Sequence, residues 1–139
     1  MKSMNLPKEE CLFCKIANKI VPAEVIFEND SIISFLDIDP INEGHILIIP
    51  KKHFLDLENI DNETLFEILV LSKKMIKILK IEFSPDGYTI MQNGGCFNDI
   101  GHFHLHIFPR YKHDGFSWIC NDSDKEPLIK IREKFSKWF

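Results

Sequence analysis

His102, His104 and His106 occupy every second position of Gly101-His102-Phe103-His104-Leu105-His106-Ile107-Phe108-Pro109-Arg110, with apolar residues in the gaps. Successive side chains of a β-strand point to opposite faces. A period of two therefore lines the imidazoles along one face and turns Phe103, Leu105 and Ile107 to the other. The pattern predicts a strand over residues 101–110 with one face in a core. A wet strand face does not need histidine: Ser, Thr or Lys serve there without the mutual repulsion of adjacent imidazolium groups. Histidine suits a neutral nitrogen that attacks, ligates a metal or carries a proton near pH 7. The row of three points to a site.

Size and charge narrow the choice of partner. A chain of 139 residues fits one domain with a sizeable core. Its net charge of −4 argues against a nucleic-acid polymer as partner, since phosphate contacts need a basic face. A small phosphorylated ligand needs only a local site. Met1 to Glu10 lacks the apolar core of a signal peptide, and no apolar run reaches the length of a membrane span. The four cysteines then suggest free thiols or metal ligands rather than a disulfide frame. A cytoplasmic address without a membrane partner is the expectation.

The rest of the chain supplies the other strands and two helices. Ile26-Phe27 and Ser31 to Leu36 are β-prone runs around Glu28-Asn29-Asp30, a hairpin turn. Asn42-Glu43-Gly44 is a second turn signal, and the run His45 to Ile49 follows it and stops at Pro50, as a central strand should. Asp61 is placed to cap a helix with Leu65, Ile68, Leu69, Ser72, Met75, Ile76 and Leu79 on one face. Pro85-Asp86-Gly87 turns the chain into a strand over Tyr88 to Gln92, which Asn93-Gly94-Gly95 breaks. Lys125 to Phe139 reads as a terminal helix with Leu128, Ile129, Ile131, Phe135 and Trp138 available for packing. Strands joined by turns, with a helix inserted, predict an α+β fold on an antiparallel sheet. Nothing divides the chain, so residues 1–139 read as a single domain.

Imidazole can form a covalent intermediate with phosphorus and so split a hard displacement into two easier ones. It must be neutral, held in one tautomer and aimed. His104, with a histidine on either side, is the natural nucleophile. Asn93-Gly94-Gly95 offers an amide and exposed backbone at the end of a neighbouring strand, although Asn93 taken alone reads as a turn former. Asp37 taken alone reads as a turn or cap residue in the same way. Cys11-Leu12-Phe13-Cys14 satisfies a redox pair, a zinc half-site or chance equally. Redox use normally wants a preceding strand, which is missing here. Zinc needs two further ligands, and His45, His53 and the three alternating histidines are all on offer. Spacing does not choose among them. Cys96 and Cys120 are isolated and read as ordinary small residues.

At this point the residues resemble a family. His102-Phe103-His104-Leu105-His106-Ile107-Phe108 is similar to the signature of the histidine-triad (HIT) nucleotide-binding proteins, a histidine at every second position with apolar residues between and after. Cys11-Leu12-Phe13-Cys14-Lys15-Ile16 resembles the N-terminal segment of zinc-containing bacterial members, about residues 8–22. Phe35-Leu36-Asp37-Ile38, then Gly44-His45, then Ile49-Pro50-Lys51-Lys52-His53 recur there in this order. The resemblance implies a five-stranded antiparallel sheet with a long helix and a C-terminal helix, paired into a homodimer. It implies hydrolysis or transfer of nucleoside monophosphates, from phosphoramidates, adenylates or dinucleoside polyphosphates, with purine nucleotide as substrate. His104 then matches the nucleophile and His106 the residue that contacts the phosphate or leaving group. Asp37 matches the carboxylate on the ribose hydroxyls, Phe13, Ile16, Phe35 and Ile38 the pocket around the base, and Asn93 a phosphate-side amide. His45 matches a buried histidine beside the active site. A structural zinc would be held by Cys11, Cys14, His53 and His102. One departure stands out. Many members place small residues and a glutamine before the histidines, where this chain has the shorter Cys96-Phe97-Asn98-Asp99-Ile100. That loop meets phosphate and leaving group in the family, so substrate preference does not carry over with the nucleophile.

Functions of different class remain. One is the hydrolase or transferase acting through His104; the alternative is a nucleotide-binding sensor or interaction module with little turnover. Binding alone would not need His104, which favours chemistry. A third reading uses the three histidines only as zinc ligands. It leaves Asp37 and the turn at Asn93 without a role, and histidines from one short strand rarely close a tetrahedral site.

Overall fold

In a computed structural model that describes residues 10–139, the first hairpin is closed by Asn29. Its side-chain oxygen accepts the backbone N–H groups of Ser31 and Ile32 at 2.8 and 2.9 Å, the local bonding that makes Asn a turn former. β1 (Val25–Glu28) and β2 (Ile32–Leu36) flank this turn, as expected. β3 (Ile46–Pro50) pairs with β2 and ends where proline has no N–H to extend a ladder. The polar segment before Glu10, read above as lacking a leader's apolar core, lies outside the described residues.

Asp61 caps the long helix α2 (Asn62–Phe83), its carboxylate accepting the N–H of Thr64 at 3.0 Å. Ile68, Leu71, Ser72, Met75 and Leu79 are buried on one face. Leu65 and Ile76 pack at its margin. Leu69, expected on that face, is 47% exposed. Leu71 takes the inward place because the buried stripe runs i, i+3, i+4, i+7 from Ile68. Gly87 then opens β4 (Gly87–Met91), and β5 (Leu105–Arg110) runs between β3 and β4. The sheet has five strands in the order β1-β2-β3-β5-β4, every pair antiparallel.

The two faces of the sheet have different duties. Ile32, Ile46, Ile48, Phe103, Leu105 and Ile107 point to the face that α2 covers. Ile33, Phe35, Leu47 and Ile49 point the other way, towards Cys11, Phe13, Cys14 and Ile16 of the short helix α1 (Leu12–Ala17) and its cap. The histidines share this second face, so the expected alternation holds. The expected strand over 101–110 is shorter, however. Continuing the β3–β5 register would set Phe103 opposite Pro50, which has no N–H. Phe103 instead donates its own N–H to the Phe54 carbonyl at 2.7 Å.

The terminal helix α3 (Leu128–Ser136) forms within the expected range. Its apolar residues Leu128, Ile129 and Phe135 are exposed, as is Trp138 just beyond it, and only Ile131 is half-buried. Among the described residues no helix is long and apolar enough to cross a membrane.

Ile107 is fully buried beneath α2 and paired with Ile46 and Ile90 on the neighbouring strands. Ile107→Ala should cost about 2–5 kcal/mol in urea unfolding, transfer and cavity contributions together. A loss below about 1 kcal/mol would mean that the site is not close-packed.

Candidate active site and metal-ligand group

The CxxC forms the first turn of α1. Cys11 is the cap, its sulfur accepting the Cys14 N–H at 3.4 Å, so both thiols face the same way. The loop after β3 brings His53 to them, and the approach to β5 brings His102. Sγ of Cys11 lies 3.3 Å from Nδ1 of His102, and Sγ of Cys14 lies 3.3 and 3.5 Å from Nδ1 of His53 and of His102. The four ligand atoms are within 4.8 Å of one another. Sulfur and nitrogen on one tetrahedral zinc stand about 3.5 Å apart, given its usual bond lengths. The donor set and its spacing therefore fit a four-coordinate metal. His102 is prepared for it: the Pro50 carbonyl takes the Nε2 proton at 2.8 Å, which leaves the Nδ1 lone pair facing the thiols. Burial pushes the His102 pKa down to about 4, so the ring is neutral.

His104 repeats the device one step along. Its Nδ1 donates to the His102 carbonyl at 2.9 Å, which leaves Nε2 with a bare lone pair. Phe13 meets its ring edge-on at 5.1 Å and His106 at 4.8 Å. His106 has the opposite tautomer, set from behind by His45. Nδ1 of His45 accepts the Ile41 N–H at 3.0 Å, so Nε2 carries the proton and donates to Nδ1 of His106 at 2.9 Å. The remaining proton of His106 must then sit on Nε2. Asn42 holds the turn that makes this geometry: its carbonyl accepts the His45 N–H, and its amide donates to the Pro109 carbonyl at 2.8 Å. Burial lowers the His45 pKa against the pull of Asp37. Burial also pushes His106 down to about 4, helped by His104 and His45 and opposed by Asp37 and Asp99. A bare nitrogen beside a protonated one has the chemistry to serve as a nucleophile beside an acid.

Both rings line a cavity of about 250 Å³. Its wall includes Phe13, Ile16, Phe35, Leu47 and Ile100, with Phe13 and Phe35 packed edge-to-face at 5.5 Å. Ile38 lines it from the rim, being 98% exposed. Asp37 and Asp99 supply carboxylates. One Asp37 oxygen accepts the Asp39 N–H; the other lies 3.5 Å from Nε2 of His45 and 3.9 Å from Nδ1 of His106.

Of the residues read from the sequence, Phe13, Ile16, Phe35, Asp37, Ile38, His104 and His106 thus meet at the cavity. Cys11, Cys14, His53 and His102 meet beside it, and His45 stands behind His106. Asn93 is half-buried at the end of β4 and is not among the lining residues. Sequence reasoning missed the anchor of the short loop. Asn98, fully buried, donates to the Leu55 carbonyl and the Asp56 carboxylate and accepts the Gly101 N–H. Asp56 accepts the Gly95 N–H in turn. Gly101 has φ 72°, a left-handed turn that delivers His102 to the thiols. Nothing about a polar loop residue such as Asp56 announces this pairing. Asp99 was in view only as part of an unusual loop.

The HIT domain model matches residues 18–113. The chain is 36% identical over 136 residues to the adenosine 5'-monophosphoramidase of Candida albicans, covering 91% of this chain and 90% of that one. The structure of a HIT family protein from Bacillus anthracis superimposes with a TM-score of 0.81 at 30% identity, covering 94% of this chain and 98% of that one. A zinc-bound histidine triad family protein from Mycobacterium smegmatis gives 0.74 at 31% identity, covering 84% and 86%.

Burial sets a direction for pH. His106 stays neutral in the fold down to about pH 4, whereas an imidazole of the unfolded chain takes its proton near 6.5. The unfolded chain binds the extra proton between those values. The stability that His106 contributes is therefore complete above about pH 6.5 and is lost as the pH falls towards 4. Tm should drop as the pH is lowered from about 7 to about 4.5, and His106→Gln should flatten that drop in a calorimetric series. A slope unchanged by the substitution would take His106 out of the linkage.

Proposed function

This chain belongs to the HIT family, and on that premise we propose that it is a nucleotide hydrolase or transferase. Its substrates are nucleoside phosphoramidates, adenylates or dinucleoside polyphosphates, cleaved at the α-phosphate through a covalent nucleotidyl intermediate on His104. The observation that carries this is the pairing of tautomers: Nε2 of His104 is bare and Nε2 of His106 is protonated, side by side on one cavity. Nε2 of His104 attacks phosphorus, and His106 gives its proton to the departing group. Water then attacks the same phosphorus, the P–N bond to His104 breaks with its electron pair returning to Nε2, and a proton of the water restores His106. Holding both groups in place before substrate arrives lowers the reorganisation each step requires.

Asp37 bonds the ribose hydroxyls, and Phe13, Ile16, Phe35 and Ile38 enclose a purine base; the apolar wall with one carboxylate at its edge supports both roles. Asn93, at the end of β4, completes the reading as a phosphate-side amide. One structural zinc sits on Cys11, Cys14, His53 and His102, supported by the sulfur–nitrogen spacing and by the zinc-bound relative. Four protein ligands close its shell, so its contribution is to tie α1 to the approach of β5. A homodimer in the cytoplasm belongs to the same reading. The exposed apolar residues of edge strand β4, Tyr88 and Ile90, and of α3 and the segment after it, Leu128 and Trp138, favour the dimer.

His104→Ala should lower turnover of an adenosine phosphoramidate beyond the roughly 10²–10⁴-fold that acid–base help alone supplies, with nucleotide binding nearly intact. Mass spectrometry of the parent during turnover should reveal an adduct on His104. A variant within about tenfold of the parent would refute the nucleophile, and the binding-module alternative predicts no adduct at all.

Cys11→Ser should lose one equivalent of zinc by elemental analysis and lower Tm, with activity falling indirectly. Active parent protein with no stoichiometric metal, and a Tm indifferent to Cys11→Ser, would leave the CxxC as a pair of buried thiols.

A further inference from the structure

A carboxylate of the short loop faces the attacking atom. Oδ1 of Asp99 stands 3.9 Å from Nε2 of His104, and the Asp99 side chain is 62% exposed. In the tautomer that donates Nδ1–H to the His102 carbonyl, Nε2 carries the lone pair and no proton. Two acceptors therefore face each other across a gap too long for a hydrogen bond. The bonding capacity of this carboxylate is open to whatever enters the cavity. The charges around it decide what that can be. No lysine or arginine is among the described residues that line the cavity; its charged groups are the carboxylates of Asp37 and Asp99. A chain of phosphates entering there would meet repulsion and no countercharge. An amine would meet an acceptor.

We propose that Asp99 is a specificity-determining residue: its carboxylate selects substrates whose leaving group is an amine, above all one bearing a second, protonated nitrogen, and disfavours those that release a phosphate chain. This rests on the reading of the cavity as a nucleotidyl-transfer site. In the step it governs, Nε2 of His104 bonds to phosphorus and the P–N bond of the substrate breaks. The electron pair stays on the substrate nitrogen, and the proton from His106 makes the product a neutral amine. Asp99 accepts an N–H of that amine, and a pendant ammonium pairs with its charge. A departing phosphate has no N–H and adds negative charge beside the carboxylate.

The test compares kcat/KM for adenosine phosphoramidates of ethylenediamine and of propylamine and for diadenosine tetraphosphate, in the full chain and in Asp99→Asn and Asp99→Glu. In the parent the ethylenediamine compound should lead, then propylamine, then the tetraphosphate. Asp99→Asn should reduce the ratio of ethylenediamine compound to tetraphosphate by about tenfold, the attraction and the repulsion being lost together. Asp99→Glu should keep the parent's order. Added salt should shrink the ethylenediamine advantage in the parent, and Asp99→Ser, which also removes the charge, should lower the ratio in the same way if Asp99→Asn does not fold. Ratios that stay within about twofold, or losses parallel across all three substrates, would overturn the assignment while leaving the hydrolase standing. A parent that turns over none of the three brings down the hydrolase itself.

Discussion

The hydrogen bond from Nε2 of His102 to the Pro50 carbonyl, 2.8 Å long, decides which nitrogen His102 turns towards the thiols. It places the His102 proton on the side away from the thiols, so Nδ1 is left as a donor atom for a metal. The same residue then offers its own carbonyl to Nδ1 of His104, and the proton of His104 is drawn away from the cavity. One backbone acceptor at the end of β3 thus orients the His102 imidazole towards the thiols, and the next backbone acceptor orients the His104 imidazole towards the cavity. Both depend on the chain leaving the β3–β5 ladder near Leu105, where Pro50 has no N–H to continue it.

A second chain of bonds runs in from the opposite side and ends in the opposite tautomer. The Ile41 N–H fixes His45, and His45 fixes His106, so the proton of His106 is presented where that of His104 is withheld. Two imidazoles thus present different nitrogens to the cavity, according to which nitrogen each neighbour occupies. Burial holds His106 neutral, since a charged ring there would lose its hydration.

The sheet makes this arrangement stable by keeping its two faces separate. Phe103, Leu105 and Ile107 join α2 in an apolar core, which frees the other face of the same segment for polar work. On that face the buried polar groups satisfy one another. Asn98 uses both ends of its amide, and Asp56 takes the Gly95 N–H, so polar bonds pin the loop before the histidines. Asp99 and Ile100 are the members of that loop that line the cavity.

The sequence alone determined the periodic features. Alternation told which way Phe103, Leu105 and Ile107 face, the 3.6-residue pattern and Asp61 located α2, and turn chemistry placed Asn29 and Pro50. These are local properties, legible because side-chain direction follows from backbone period. The resemblance to a family added the grouping of Cys11, Cys14, His53 and His102, which no spacing rule could choose among the available histidines. Only the tertiary structure decided the rest. It turned Leu69 out and Leu71 in, left the apolar residues of α3 exposed, set Asn93 apart from the cavity lining and brought Asp99 to within 3.9 Å of Nε2 of His104. It also decided the tautomers. Each depends on a backbone carbonyl or N–H from a distant or irregular segment, and a main-chain group has no letter in a sequence to reveal where it points.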